Sequence, residues 1–163
     1  MKKILATAAL MIAVTTSAFA GTYGEVSYGT ATATTGGVSL NHGVVRGIVG
    51  TTITPNIAVE GHAVVGTASA TSLAKLDSSL GAFVKASYNI TPTVGVFGRA
   101  GYVRNNWSSP FVGISGHDSG GAYGVGATYA VSKNSAVVLD YTQLYNQGGV
   151  RGSTITAGYK LNF

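Results

Sequence analysis

His117-Asp118-Ser119 sets an imidazole, a carboxylate and a hydroxyl side by side, the inventory from which hydrolases build an activated nucleophile. Glycines stand close on both sides (Gly116, Gly120 and Gly121), so the same triplet also reads as a flexible loop. His42 and His62 fall on candidate strands that neighbour one another, where polar filling is the expected role and metal ligation the alternative. The chain has no Cys, which excludes thiolate nucleophiles, disulfides and cysteine-held metals together. Gly124-x-Gly126 lacks a third glycine and a following helix, so it is not a nucleotide loop. No cofactor is expected. Ten Lys and Arg against five Asp and Glu give a formal net charge of +5. The basic residues are scattered singly, and nucleic acid would need them clustered.

Charged residues are only 9% of the 163, whereas about 25% is ordinary for a soluble domain. Met1-Lys2-Lys3, the apolar run Ile4 to Val14 and the small-x-small triplet Ala18-Phe19-Ala20 follow in the order of a secretory signal. Residues 1–20 are therefore expected to be cleaved, with residues 21–163 forming one domain. No later run approaches the roughly 18 apolar residues of a membrane-spanning helix.

From Gly21 onward the pattern alternates with period two. Strands are predicted at 22–30, 40–53, 57–66, 79–90, 94–103, 120–131, 136–143 and 153–163. Short connections (54–56, 91–93, 132–135) alternate with long ones (31–39, 67–78, 104–119, 144–152), as an up-and-down antiparallel meander requires. In each strand one phase carries Val, Ile, Leu, Ala and Tyr. The other carries every charge assigned to a strand: Glu25, Arg46, Glu60, Lys85, Arg99, Asp140 and Lys160. A soluble barrel would turn the charged phase outward, whereas a transmembrane barrel turns it into the lumen. The modest bulk of the apolar phase and the scarcity of charge favour the second. So do tyrosines beside the connections: Tyr88, Tyr129 and Tyr159 at one level, Tyr28, Tyr102 and Tyr123 at the other. The expected fold is an all-β, eight-stranded antiparallel up-and-down transmembrane β-barrel.

The closing segment Ala157-Gly158-Tyr159-Lys160-Leu161-Asn162-Phe163 resembles the terminal strand by which Gram-negative outer-membrane proteins are recognised for assembly. Tyr159, Leu161 and Phe163 carry that resemblance. The hairpin from Gly50 to Glu60, through Thr54-Pro55-Asn56, is similar to a segment of the small eight-stranded barrels: the outer-membrane protein A barrel domain, the outer-membrane protein X type and the opacity porin-like family. Thr51 stands where those proteins often have an aromatic. The resemblance implies the Gram-negative outer membrane as location, with export through the signal. It implies outer-membrane lipid, lipopolysaccharide and the assembly machinery as partners, and a monomer. No periplasmic peptidoglycan-binding domain is expected after Phe163.

An eight-stranded barrel has room inside for side chains but no wide pore. Seven lumenal charges must pair there or remain hydrated. The turn at Pro92 would bring Lys85 opposite Arg99, with Glu60 the first candidate to bridge them and Asp140 the second. Glu25 and Lys160 would meet where the last strand closes on the first. Arg104, Trp107, Phe111 and Arg151 are the binding candidates of the long loops. The expected role is structural or surface-interacting, without enzymatic activity. The alternatives are a lipid A-modifying hydrolase and a narrow porin-like channel. The first would resemble lipid A deacylases with His-x-Ser sites, although Gly120 replaces the Asn usual after their Ser.

Overall fold

A computed structural model describes residues 21–35, 38–67, 75–109, 114–147 and 150–163. The candidate signal at 1–20 lies outside the described residues. Eight strands follow in order: β1 (Thr22–Thr35), β2 (Val38–Thr54), β3 (Ile57–Gly66), β4 (Lys75–Asn89), β5 (Val94–Ser109), β6 (Ile114–Ala130), β7 (Ser135–Gln147) and β8 (Val150–Asn162). Each pairs antiparallel with the next, and β8 pairs with β1 to close the barrel. Closure matters because a sheet edge facing lipid would leave backbone N–H and C=O groups without partners.

The short turns are set by hydroxyl residues. Thr54 Oγ1 accepts from the Ile57 N–H at 3.1 Å, Thr91 Oγ1 from the Val94 N–H at 2.9 Å, and Ser132 Oγ from the Asn134 N–H at 3.3 Å. Such side chains take over backbone donors that a tight turn strands. With the turns fixed, register follows, and in a period-two structure register decides which face each side chain occupies.

The apolar phase points out. Leu139 is 58% exposed, whereas its neighbours Val138 and Asp140 are 1% and 2% exposed. All six tyrosines of the two expected levels are exposed on the outer wall. The inner face also holds apolar groups, mostly toward the end with the long connections. Ala31, Val44, Val64 and Leu76 form one cluster there, and Phe83, Val103 and Ala122 another.

Three inward aromatics lie opposite glycines on the next strand: Tyr23 opposite Gly50, Phe83 opposite Gly101 and Phe97 opposite Gly126. A Cβ on Gly50 would clash with the Tyr23 ring, and one on Gly126 with the Phe97 ring and the Leu139 carbonyl. The missing side chain is thus replaced by the face of an aromatic ring, a pairing that stabilises glycine within sheets.

The strands run further than their apolar patterning. Strand continues to Thr35 and resumes at Val38, ends at Gly66 and resumes at Lys75, ends at Ser109 and resumes at Ile114, and ends at Gln147 and resumes at Val150, so most of the segments expected as long loops continue the ladder. Beyond lipid the outer face needs no apolar residue, so Gly, Ser, Thr and Asn pair as strand while reading as turn. Arg104 and Trp107 therefore belong to β5, His117, Asp118 and Ser119 to β6, and Arg151 to β8, and none of them lies in a loop. Phe111 lies outside the described residues.

Pairing at this end is uneven. The β5–β6 register continues to Ser109↔Ile114, while that of β6 with β7 ends at Tyr123↔Gln143. A bulge between Gln143 and Tyr145 bends β7 where the pairing stops.

Candidate functional site

Register and turns bring the inward charges together at mid-barrel. Lys85 on β4 stands directly opposite Arg99 on β5, and like charges so placed repel. Glu60, on β3 beside them, contacts both. Its Oε1 lies 2.6 Å from Lys85 Nζ and its Oε2 lies 3.3 Å from Arg99 Nη1. The Tyr23 hydroxyl donates to the same Oε1 at 2.5 Å, and His62 Nε2 lies 2.9 Å from Oε2. One carboxylate therefore serves partners from β1, β3, β4 and β5.

A second carboxylate continues the chain of contacts. Asp140 Oδ1, on β7, lies 2.6 Å from Arg46 Nη1 and accepts from the Thr142 hydroxyl at 2.8 Å. Its Oδ2 lies 3.2 Å from Arg99 Nη2, an ion pair without hydrogen-bond alignment. Arg46 Nη2 reaches Glu25 at 3.4 Å, and its Nε donates to Ser27 at 3.2 Å. Glu25 faces Lys160 in the β1–β8 register. Of the seven charges assigned to the lumen, six are nine-tenths or more buried, and Lys160 is half-buried.

The inward aromatics cover the cations. Lys85 Nζ lies 4.3 Å from the centroid of the Tyr23 ring, and Arg99 Cζ lies 4.6 Å from that of Phe97. Lys160 Nζ is 5.2 Å from the Tyr23 centroid, and His62 stacks on Phe83 at 4.2 Å. Ring faces attract cations, and more so away from water. Tyr23, Phe83 and Phe97 thus belong to the site although charge alone does not point to them. Their sequence signal is phase: Tyr23 shares parity with Glu25, Phe83 with Lys85, and Phe97 with Arg99.

The other candidates sit elsewhere. His117 and Ser119 occupy alternate exposed positions on the outer wall of β6, where the Tyr102 hydroxyl donates to Ser119 Oγ at 3.1 Å. Arg104 is exposed on β5. The inward His42 accepts at Nε2 from the Leu76 N–H at 3.4 Å. Among the described residues, no group of three or more His, Cys, Asp or Glu is placed to hold a metal. Tyr159 and Leu161 point outward at the β8 end, and the Phe163 N–H donates to the Thr22 carbonyl at 2.9 Å across the β1–β8 seam.

Residues 4–163 match the family model of the outer membrane protein beta-barrel domain. The chain belongs to that family. Family membership makes the exposed apolar phase a lipid-facing wall and the closed sheet an outer-membrane barrel. Among solved structures, Neisserial surface protein A has 21% sequence identity and a TM-score of 0.70, over 88% of this chain and 98% of that one. Ail, the attachment invasion locus protein of Yersinia pestis, has 16% identity and a TM-score of 0.66, over 89% and 100%. The N-terminal β-barrel domain of Pseudomonas aeruginosa OprF has 12% identity and a TM-score of 0.61, over 85% and 97%. These likenesses show the fold. No curated protein sequence matches the chain significantly.

Proposed function

We propose that this outer-membrane barrel is a structural or surface-interaction protein whose own side chains plug its lumen, with neither a diffusion pore nor catalysis. The single observation that carries this reading is the unbroken series of contacts Tyr23–Glu60–Arg99–Asp140–Arg46–Glu25. It crosses the interior from β1 through β3, β5, β7 and β2 back to β1. Water or a solute moving through would have to part these pairs. Removing one partner of a buried pair costs about 3–5 kcal/mol, so thermal opening is rare. Export through residues 1–20, hand-over to the assembly machinery, monomeric insertion and contact with outer-leaflet lipid complete the reading. The outer wall and the rim on the long-connection side are then the parts that meet the surroundings.

Planar-bilayer recording of the folded chain tests the plug. The expected trace stays at baseline apart from rare brief events. Sustained, voltage-stable steps from the unmodified protein would make it a channel and sink the closed-lumen reading.

A further inference from the structure

Above the upper tyrosines the two flanks of β6 differ. Its register with β5 runs without a shift from Tyr129 to Ile114, while its register with β7 ends at Tyr123↔Gln143. Backbone groups of an antiparallel strand turn alternately to either side, and two bonds fix the phase. The Ala130 N–H donates to the Thr93 carbonyl on the β5 side, and the Val131 N–H to the Ser135 carbonyl on the β7 side. Even-numbered residues of β6 therefore bond toward β5, and odd-numbered ones toward β7. His117, Ser119 and Gly121 thus turn their N–H and C=O groups to a flank where, among the described residues, no strand continues the ladder. Gly121 lies level with the outward Tyr102, so this stretch starts at the aromatic belt and rises into water.

Sheet edges are commonly blunted by lysine, proline or a bulge. Residues 114–122 contain no Lys and no Pro, and their pairing with β5 is regular. The approach is open as well, since no atom lies within 4 Å of the Cβ position at Gly116 or Gly121. The one cap is internal: Asp118 Oδ1 accepts the Ser119 N–H at 2.8 Å, as the alternation requires of an N–H not bonded to β5. Asp118 itself shares the inward phase, is half-buried and has no ion pair among the described residues. Next to it, in the row Ser79, Asn105, Asp118, Asn105 is fully buried and neither of its amide atoms has a hydrogen-bond partner. A carboxylate without a cation, beside an amide without a partner, favours a basic side chain arriving from the open flank.

We infer that the open flank of β6 takes an extended peptide segment of a soluble partner as an added strand, with a Lys or Arg of that segment turned inward onto Asp118. Main-chain bonds to His117, Ser119 and Gly121 supply the affinity, and the basic residue supplies the selectivity. A residue opposite Asp118 on an added strand stands about 5 Å away with its side chain on the same face, so a long cation reaches the carboxylate and the Asn105 oxygen beyond it. The site deepens the surface-interaction reading above and rests on it, but it is independent of the plugged lumen. The test uses the full barrel folded in detergent micelles, with folding verified by the gel band that shifts on heating. The probes are fluorescent threonine–valine peptides of about seven residues, the length of an ordinary strand. One has a central lysine, one a central glutamate, and one the lysine with an N-methylated backbone. Anisotropy reads binding, and amide exchange followed by NMR reads the edge.

The lysine peptide should bind, slowing exchange at His117 and Gly121 and leaving the β5-facing Gly120 unchanged. The glutamate peptide, and the lysine peptide offered to Asp118→Asn, should each bind about tenfold more weakly, the loss of one charge-assisted contact. The N-methylated peptide should not bind. Gly121→Pro removes an edge-facing N–H and no bond to β5, so it should fold and lose the peptide. His117→Pro carries the same expectation at a second edge position. No binding of the lysine peptide at millimolar concentration overturns the site, and so does equal binding by the proline variants or by the N-methylated form. Equal binding of the lysine and glutamate peptides overturns the basic class of partner. Barrels that dimerise through this flank, in a way Gly121→Pro abolishes, would make a second copy the occupant and overturn the peptide assignment. None of these results touches the plug, which conductance alone decides.

Discussion

Glu60 is one of two hubs of the interior: four partners share its two oxygens, as four share the Arg46 guanidinium. Its value comes from what would remain without it: Lys85 and Arg99 facing each other across a strand pair, both buried. Glu60→Gln keeps the shape and removes the charge. It is expected to cost about 3–5 kcal/mol, the usual penalty for an orphaned buried ion. Urea titration of the folded barrel, followed by the heat-shifted band, would read this as a lower midpoint. Adding Lys85→Met should recover part of the loss, because the cation left without its carboxylate is then gone while Arg99 keeps Asp140. A Glu60→Gln barrel as resistant as the unmodified one would mean that lumenal water already screens these charges.

The strands were legible in outline because one rule governed both their phases. Seven inward charges and a continuous outward apolar row fix eight strands, their direction and their facing without any long-range information. Two things were hidden. Beyond the lipid the outer row loses its apolar requirement, so residues such as Thr32, Asn106 and Ser115 pair as strand while reading as loop. The inward aromatics were hidden because Tyr23, Phe83 and Phe97 look, as residue types, like members of the outer row, and parity alone assigns them inside. Their pairing with glycines is a property of neighbouring strands, visible only once register is known. It also predicts a coupling. Gly50→Ala should cost about 1–3 kcal/mol through overpacking against the Tyr23 ring. In a Tyr23→Ser background the same change should cost much less, since the atoms it meets at Gly50 are those of that ring. A double-mutant cycle measures this directly, and additive effects would show that the backbone at Gly50 sets the limit instead.

At the scale of the whole barrel the outer wall sets a thickness. On β4 the exposed apolar row runs from Leu80 to just past the strand end at Ile90, and on β6 from Tyr123 to Val131 just beyond it. At about 3.3 Å per residue these rows are roughly 26–33 Å long. Tilted by about 40°, as in outer-membrane barrels, they cover about 20–25 Å of vertical height. An ordinary bilayer has a hydrocarbon core near 30 Å, and each ångström of mismatch costs a fraction of a kcal/mol. At its upper edge Arg104 stands opposite Leu80, with Asn106 and His117 beyond it, and at its foot are the polar turns at 91–93 and 132–134. A thicker membrane would submerge one or both, and a buried Arg on the lipid face costs about 2–4 kcal/mol at mid-depth. The barrel should therefore fold faster from urea, and resist unfolding better, in vesicles of 12-carbon lipids than in vesicles of 18-carbon lipids. Arg104→Leu should narrow that difference by removing the charge that a thick bilayer penalises. Equal folding in both lipids, or a preference for the longer chains, would place the membrane boundary higher on the wall than Arg104. Arg104, Asn106 and His117 would then lie inside the hydrocarbon instead of at its surface.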